Sequence, residues 1–411
     1  MAVKQKYIDL LLNIPGFSVM MVGTLEDPDG DKSLMMDLIR NDHTYHCRCG
    51  REFEVLYDSD ERCVRDLNYG PWRHCYLVFQ QVRVDCPECG VVTEELDWVG
   101  PRVSYTKRFA AAVALSCAEL RSLSSVAKEY DIHRHTVKQI DKAALEKELV
   151  DVSDTAPRLI GVDEAAIKRR HRYATVVVDL DEKSVPYLAK GRTKESLSGY
   201  YEALGPDKCG NIKAVAMDMW KPYEEVTRQY CPNAEIVFDP FHIISAYGRE
   251  VVDKVRIKEA RNASMHDGFF IKGCKYLLLK NKQNLDRSKH EPAKLSELLR
   301  INKRLFKVYI LKDDLKQLWR YRSVAWAKKC FEDWYRRAMY SKIEPLKKFA
   351  RGLKKRLAGI LAHCKYPIHT SIIEGINNKI KVIKRIAFGF MDTEYFFMKI
   401  RGAFMDREIH T

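Results

Sequence analysis

No run of apolar residues in this chain approaches the roughly 20 needed to cross a bilayer as a helix. At the N-terminus, Met1 to Lys6 is followed only by the short apolar stretch Tyr7 to Leu12, without a cleavage pattern, so no signal peptide is read there. No internal repeat and no low-complexity tract is visible. We therefore expect a cytoplasmic protein with no membrane partner. Acidic residues are in deficit: 56 stand against 71 basic ones, a net charge of +15. That balance points to a polyanionic partner, most often nucleic acid. In a cytoplasmic setting the 12 cysteines are better read as thiols or metal ligands than as disulfides. A length of 411 residues allows two to four domains and a large core.

Residues 1–45 read as a short helix and two strands, Phe17 to Leu25 and Leu34 to Ile39. The turn sequence Asp27-Pro-Asp-Gly-Asp31 between them predicts a small hairpin. His46-Cys47-Arg48-Cys49-Gly50 follows, then much later Cys86-Pro87-Glu88-Cys89-Gly90. The second is a zinc knuckle by spacing, because two thiolates at i and i+3 can grip one ion from a tight turn. The first is irregular. Cys49 has either Cys47 or His46 as its companion, so the ligand set is Cys49, Cys86, Cys89 and one of those two. Strand-like segments, Glu52 to Tyr57 and Tyr76 to Val84, lie between the knuckles in the plan of a zinc ribbon.

Residues 104–145 read as helical, with Thr106 able to cap a helix from Lys107 to Leu120. Leu123 to Ile140 has helix-turn-helix patterning. Ala127 permits close helix contact, Asp131 occupies the turn where glycine is usual, and Ile132, Val137 and Ile140 pack inward. Arg134, His135, Lys138 and Gln139 would then project from the second helix, with side chains suited to the major groove and its phosphates.

From Ala156 the pattern becomes α/β. Arg158 to Asp163 reads as an apolar strand ending on an acid, and Arg172 to Asp179 as its hairpin partner. Val185 to Ala189 is a third strand, Lys194 to Leu204 a helix, and Ile212 to Asp218 a strand ending on another acid. Pro222 to Tyr230 is a helix, and Ala234 to Asp239 a fifth strand with an acidic end, followed by His242. This is the element order of an RNase H-like core. Residues 243–365 are basic, aromatic and mostly helical, and read as an insertion whose final helix carries Lys347, Lys348 and Lys354 to Arg356. On the helix around Glu374, a 100° step per residue puts Glu374, Asn377, Asn378, Lys381 and Arg385 on one face. Ile373, Ile376, Ile380 and Ile383 fall roughly opposite.

Taken together these motifs resemble the ISL-three family of bacterial insertion-sequence transposases over nearly the whole chain. The matching stretches are Val162-Asp163-Glu164, Val215 to Met219, Phe238 to His242, Glu374 to Lys381, and Phe388 to Phe397. The residues before Glu374, His369 to Ile373, depart from the lead-in expected of that family. The resemblance implies a multidomain protein: a hairpin and β zinc ribbon at 1–100, an all-α helix-turn-helix domain at 101–150, and an α/β RNase H-like core at 156–248 and 366–411, interrupted by a helical insertion at 249–365. It implies two-metal DNA cleavage and strand transfer, with Asp163, Asp218 and Glu374 holding two Mg²⁺ ions that Mn²⁺ can replace. Asp239 and His242 would be an auxiliary pair, with Asp239 the rival for the second acid. Lys381 and Arg385 would join Arg134, His135, Lys138 and Gln139 in binding DNA. One structural zinc, double-stranded DNA (terminal inverted repeats and target), a homo-oligomer on that DNA and a nucleoid location complete the expectation. A catalytically dead DNA-binding regulator and an RNase H-like nuclease are the alternatives from other classes.

Overall fold

The computed structural model describes residues 2–26, 30, 32–168, 172–368, 371–387 and 390–405. Most of the expected turn at 27–31 therefore lies outside the described residues, as do His369, Thr370 and Phe388. The chain divides into two compact units, Met1–Glu148 and Leu149–Thr411. Among the described residues no helix is long and apolar enough to cross a membrane.

The first unit opens with α1 (Ala2–Leu12), followed by β1 (Phe17–Glu26), β2 (Lys32–Arg40), β3 (Tyr45–His46), β4 (Glu52–Phe53), β5 (Asp58–Asp66), β6 (His74–Cys86) and β7 (Gly90–Thr93). The expected hairpin forms, since β1 and β2 pair antiparallel. It does not stand alone. β2 also pairs parallel with β6, making one five-stranded sheet in the order β1-β2-β6-β5 with β7 on the end of β6. The strand expected at Glu52 to Tyr57 is corrected to two residues, β4. The long strand is β5, whose charged, exposed first half hides the alternation by which a strand is recognised. Phe17, Phe79 and Trp98 meet edge to face at the centre of this unit's core.

Helices α2 (Lys107–Ala118), α3 (Leu123–Tyr130) and α4 (Arg134–Glu148) complete the unit. The Thr106 hydroxyl caps α2 by accepting from the Phe109 amide, and donates to the fully buried carboxylate of Asp66 at 2.7 Å. Arg108 holds that carboxylate too, with its Nε 2.8 Å away. The expected boundary near residue 100 is thus bridged by an ion pair to a buried carboxylate, and loss of Arg108 would strand that charge. Between α3 and α4, Asp131 is left-handed (φ 51°, ψ 53°), as a helix-turn-helix turn requires. Val126, Val137 and Ile140 are buried, with Ile132 packed beside them.

The second unit carries β8 (Leu159–Lys168), β9 (Arg172–Asp179), β10 (Ser184–Lys190), α5 (Lys194–Leu204), α6 (Pro206–Asn211), β11 (Ala214–Met217), α7 (Lys221–Tyr230) and β12 (Glu235–Phe238). Its sheet runs β10-β9-β8-β11-β12. β9 is antiparallel to β8 and β10, whereas β11 is parallel to both β8 and β12. Only the short α6 was not anticipated. The first strand does not end at Asp163: β8 continues to Lys168, because β9 keeps pairing with it beyond the point where β11 stops.

The helices that follow are α8 (Pro240–Tyr247), then, after a π-helical stretch at Gly248–Val252, α9 (Asp253–Asn262), α10 (Met265–Gly273), α11 (Lys275–Leu279), α12 (Glu291–Ile301), α13 (Lys303–Gln317), α14 (Val324–Tyr340), α15 (Glu344–Lys355) and α16 (Leu357–Leu361). Next come α17 (Ser371–Ile386) and α18 (Thr393–Gly402). Lys347, Lys348, Lys354 and Lys355 lie on α15, so theirs is not the last helix of this segment. The helical segment has no separate core. Tyr309, Phe331, Trp334 and Phe349 belong to one apolar cluster with Val162, Val215 and Phe238 of the sheet.

At Gly359 α16 packs directly on the sheet. A Cβ there would lie 2.6 and 2.7 Å from Phe238 ring carbons and 2.9 Å from the Ile236 carbonyl. Gly359→Ala is therefore expected to destabilise the protein by about 1–3 kcal/mol. Gly352→Ala, within α15 and meeting nothing within 4 Å, should stabilise it by about 0.5–1 kcal/mol. Thermal melts of the two variants check the pair; equal shifts would contradict the packing at Gly359.

Candidate active site

Three carboxylates mark one edge of the second unit's sheet. In the parallel register Val162 pairs with Met217, and Met217 with Phe238. The next residues on β8, β11 and β12 are Asp163, Asp218 and Asp239. With strands about 4.8 Å apart, the three acids stand level, Asp218 in the middle. The row forms where the parallel pairing of β11 with β8 and with β12 gives out at one level, although β8 itself continues.

His242 joins two of them. Asp239 is the N-cap of α8, accepting from the Phe241 amide at 2.7 Å, and α8 begins at Pro240. One turn on, His242 Nδ1 lies 3.5 Å from Asp218 Oδ2, and its Nε2 lies 3.5 Å from Asp239 Oδ2. The bond to Asp218, reinforced by the surrounding carboxylates, pushes the imidazole up to about 9, so it is an imidazolium at neutral pH. Burial works against Asp218, but His242, the Met219 amide and the charge of Arg249 together hold that carboxyl below its ordinary range. Burial raises Asp163 and Asp239.

Helix α17 reaches the same edge. A Cβ on Gly161 would lie 2.7 Å from Ile373 Cδ1, so the helix rests directly on β8. Asn377 Nδ2 donates to Asp163 Oδ2 at 2.5 Å, and Lys384 Nζ to the Ala166 carbonyl at 3.0 Å. From Ile373 to Asn377 the helix advances about 6 Å, and from Gly161 to Asp163 the strand advances about 6.6 Å. The two elements therefore run side by side in step. Glu374 lies between the Ile373 and Asn377 anchors, exposed and within about 60° of Asn377 around the helix axis. The four isoleucines of the opposite face are buried, as the periodicity predicts.

Asp163, Asp218, Asp239 and His242 are thus brought together, and Asn377 with them. Glu374 lies on the same helix as Asn377 but is exposed to solvent. Asp163 Oδ1 also accepts from the Glu164 amide at 2.8 Å, and Asp218 Oδ1 from the Met219 amide at 2.6 Å. Asn377 Oδ1 is buried and has no hydrogen-bond partner among the described residues. A leftover oxygen acceptor beside a row of carboxylates fits a hard divalent cation. Glu164, read in the sequence only as part of the Val162-Asp163-Glu164 match, also lies at this edge, and Arg192, in the turn after β10 and 3.4 Å from it, carried no sequence signal.

In the first unit, the sulfurs of Cys47, Cys49, Cys86 and Cys89 all lie within 4.8 Å of one another, with Cys49 and Cys86 3.7 Å apart. Gly50 and Gly90, each just after the second cysteine of its pair, have φ of +85° and +71°, which lets both loops turn back. The group could bind a metal. His46 is not part of it and lies beside Glu52 at 3.8 Å. On α4, Arg134, His135 and Gln139 are exposed and Lys138 half-buried. On α17, Lys381 and Arg385 are exposed.

Comparison with known proteins accords with this geometry. A family described as "Transposase" matches residues 160–400, and the "Helix-turn-helix domain of transposase family ISL3" matches residues 94–145. The chain is 39% identical over 407 residues to the transposase for insertion sequence element IS1001 of Bordetella parapertussis, covering 97% of this chain and 98% of that one. It is 28% identical over 398 residues to the transposase for insertion sequence element IS1557 of Mycobacterium tuberculosis, covering 89% and 87%. DNA cleavage and strand joining with divalent metals, and DNA binding through the helix-turn-helix, follow for a chain with both domains. This chain belongs to the ISL3 family of DDE insertion-sequence transposases.

Proposed function

We propose that the second unit is an RNase H-like catalytic core in which Asp163, Asp218 and Glu374 hold two Mg²⁺ ions for DNA cleavage and strand transfer. One observation carries the choice of Asp218 over Asp239. Asp163 and Asp218 directly follow the paired residues Val162 and Met217 on adjacent strands, whereas Asp239 is one strand further out. Such ions, when bound, activate a water or 3′-hydroxyl and neutralise charge on the phosphate. The protein's own groups supply placement. The Glu164 and Met219 amides fix Oδ1 of Asp163 and of Asp218, while Asn377 and His242 orient the Oδ2 atoms. His242 keeps its proton between Asp218 and Asp239 and holds both in line. Asp239 acts as the auxiliary acid that anchors His242 and starts α8. The strip of Lys381 and Arg385 along α17 receives backbone phosphates.

The first unit reads the element's terminal inverted repeats. Arg134, His135, Lys138 and Gln139 contact DNA from α4, and Cys47, Cys49, Cys86 and Cys89 bind one structural zinc. Cys47 is preferred to His46 because its sulfur is already within reach of the other three. Cleavage at two ends of an element implies a homo-oligomer on DNA.

Three outcomes are expected. Asp163→Asn, Asp218→Asn and Glu374→Gln should each slow cleavage of labelled repeat ends on the order of a thousandfold, with repeat binding kept, while Asp239→Asn retains activity with Mn²⁺. Loss in Asp239→Asn but not in Asp218→Asn would move the second ligand to β12. Arg134→Ala or Lys138→Ala should weaken repeat binding by roughly 1–3 kcal/mol where a base contact is lost; unchanged affinity in a gel-shift titration would remove α4 from the interface. Metal analysis should find about one zinc per chain. It should fall in Cys86→Ser with Cys89→Ser and in Cys47→Ala, but not in His46→Ala.

A further inference from the structure

We propose that Arg192 binds a DNA backbone phosphate flanking the one that is cut, and that Tyr173, Trp220 and Glu164 hold its guanidinium ready for that contact. The proposal rests on the catalytic reading above and adds a residue to it. Arg192 follows Gly191, whose φ is +94°, in the turn leaving β10. That turn is tied down at three points. The Gly191 amide donates to the Tyr173 carbonyl at 2.9 Å, the Thr175 hydroxyl donates to the Gly191 carbonyl at 3.0 Å, and Trp220 Nε1 donates to the Arg192 carbonyl at 3.3 Å.

The side chain is held as well. The guanidinium carbon is 5.1 Å from the Tyr173 ring centre and 5.0 Å from that of Trp220, so two aromatic rings flank it. Its Nη1 lies 3.4 Å from Glu164 Oε2. Glu164 adjoins Asp163, and Trp220 stands two residues after Asp218. Arg192 is thereby placed at the rim of the acidic edge. With the side chain 48% exposed and one long contact to Glu164 among the described residues, most of its five N–H donors have no partner there.

A simple ion pair is a poor account of this arrangement. Exposed pairs at such a distance contribute little to stability, and neutralising Glu164 does not require two rings and an anchored turn. Phosphate binding does use them. A guanidinium offers a planar fork to two phosphate oxygens, and one already immobilised loses less freedom on binding. The setting calls for a cation too. Asp163, Glu164, Asp218 and Asp239 are four carboxylates that an incoming phosphodiester must approach, and a fixed positive charge at their rim offsets that repulsion.

The test is a scan on repeat-end duplexes. Phosphates of the cleaved strand near the cut are replaced singly by uncharged methylphosphonate, and cleavage by wild-type, Arg192→Ala and Arg192→Lys protein is timed on each. Arg192→Ala should cut the unmodified end on the order of a hundredfold more slowly. One flanking methylphosphonate should slow wild type by a similar factor and leave Arg192→Ala no slower than before. Arg192→Lys should fall between, since it keeps the charge and loses the fork. A profile for Arg192→Ala parallel to that of wild type, or an Arg192→Ala rate equal to wild type, would overturn the proposal while leaving the transposase reading intact. Wild-type protein that cut no end would overturn both. Melting and repeat-binding curves report whether Arg192→Ala is folded. If it is not, Trp220→Leu, which removes one ring and leaves the guanidinium, must show a weakened methylphosphonate effect at the same position, and a full-sized effect there would overturn the proposal.

Discussion

The close approach of Ile373 to Gly161 sets the height at which α17 meets the sheet, and the acidic edge depends on that height. A Cβ at position 161 would meet Ile373 Cδ1 at 2.7 Å, so the Ile373 side chain would have to move for the helix to lie as flush against β8. With the helix seated there, the matched rise of helix and strand carries Asn377 to Asp163 and Lys384 to Ala166. The same seating buries Ile376, Ile380 and Ile383 and turns Glu374, Lys381 and Arg385 to solvent. A helix displaced by one turn would pass about 5.4 Å along the strand and lose every one of these contacts together.

The row of carboxylates is the second constraint, because like charges at strand spacing oppose one another. The fold answers with a bridging imidazolium, an amide and two backbone N–H groups. His242 spans Asp218 and Asp239, and Asn377 takes Asp163. Burial raises Asp163 and Asp239, whereas the His242 contact lowers Asp218. The middle acid is therefore the most firmly ionised of the three, and it stands beside Asp163 on adjacent strands.

In the first unit a single buried carboxylate does corresponding work. Asp66, at the end of β5, receives the Thr106 hydroxyl that caps α2 and the guanidinium of Arg108. That group ties β5 to α2. At the other end of the helical part, the left-handed Asp131 is held by His74 at 2.9 Å and Arg73 at 3.1 Å from the sheet. The entry turn of α4 and the start of α2 are thereby both fixed to the sheet. The four cysteines close a further loop between β3 and β7, where little apolar material is available to do so.

Much of this was legible locally. The Cys-Pro-Glu-Cys-Gly knuckle, the Thr106 cap, the Asp131 turn and the isoleucine face of α17 are short-range patterns, and each formed where its spacing placed it. The order of strands and helices in the second unit followed from the same local signals, and the motifs around Asp163, Asp218, Asp239 and Glu374 carried the family. What tertiary structure decided was pairing over distance. That β2 joins β6, that β8 runs past Asp163, that the helical segment shares the sheet's core, and that Cys47 rather than His46 meets Cys86 all depend on partners far along the chain. The contact between Asn377 and Asp163 spans 214 residues, and the Arg192 turn is anchored by a tryptophan from another loop. Sequence periodicity reports which face of an element is apolar; it holds no record of which face meets which, because that is settled only when side chains from distant segments compete for the same buried space.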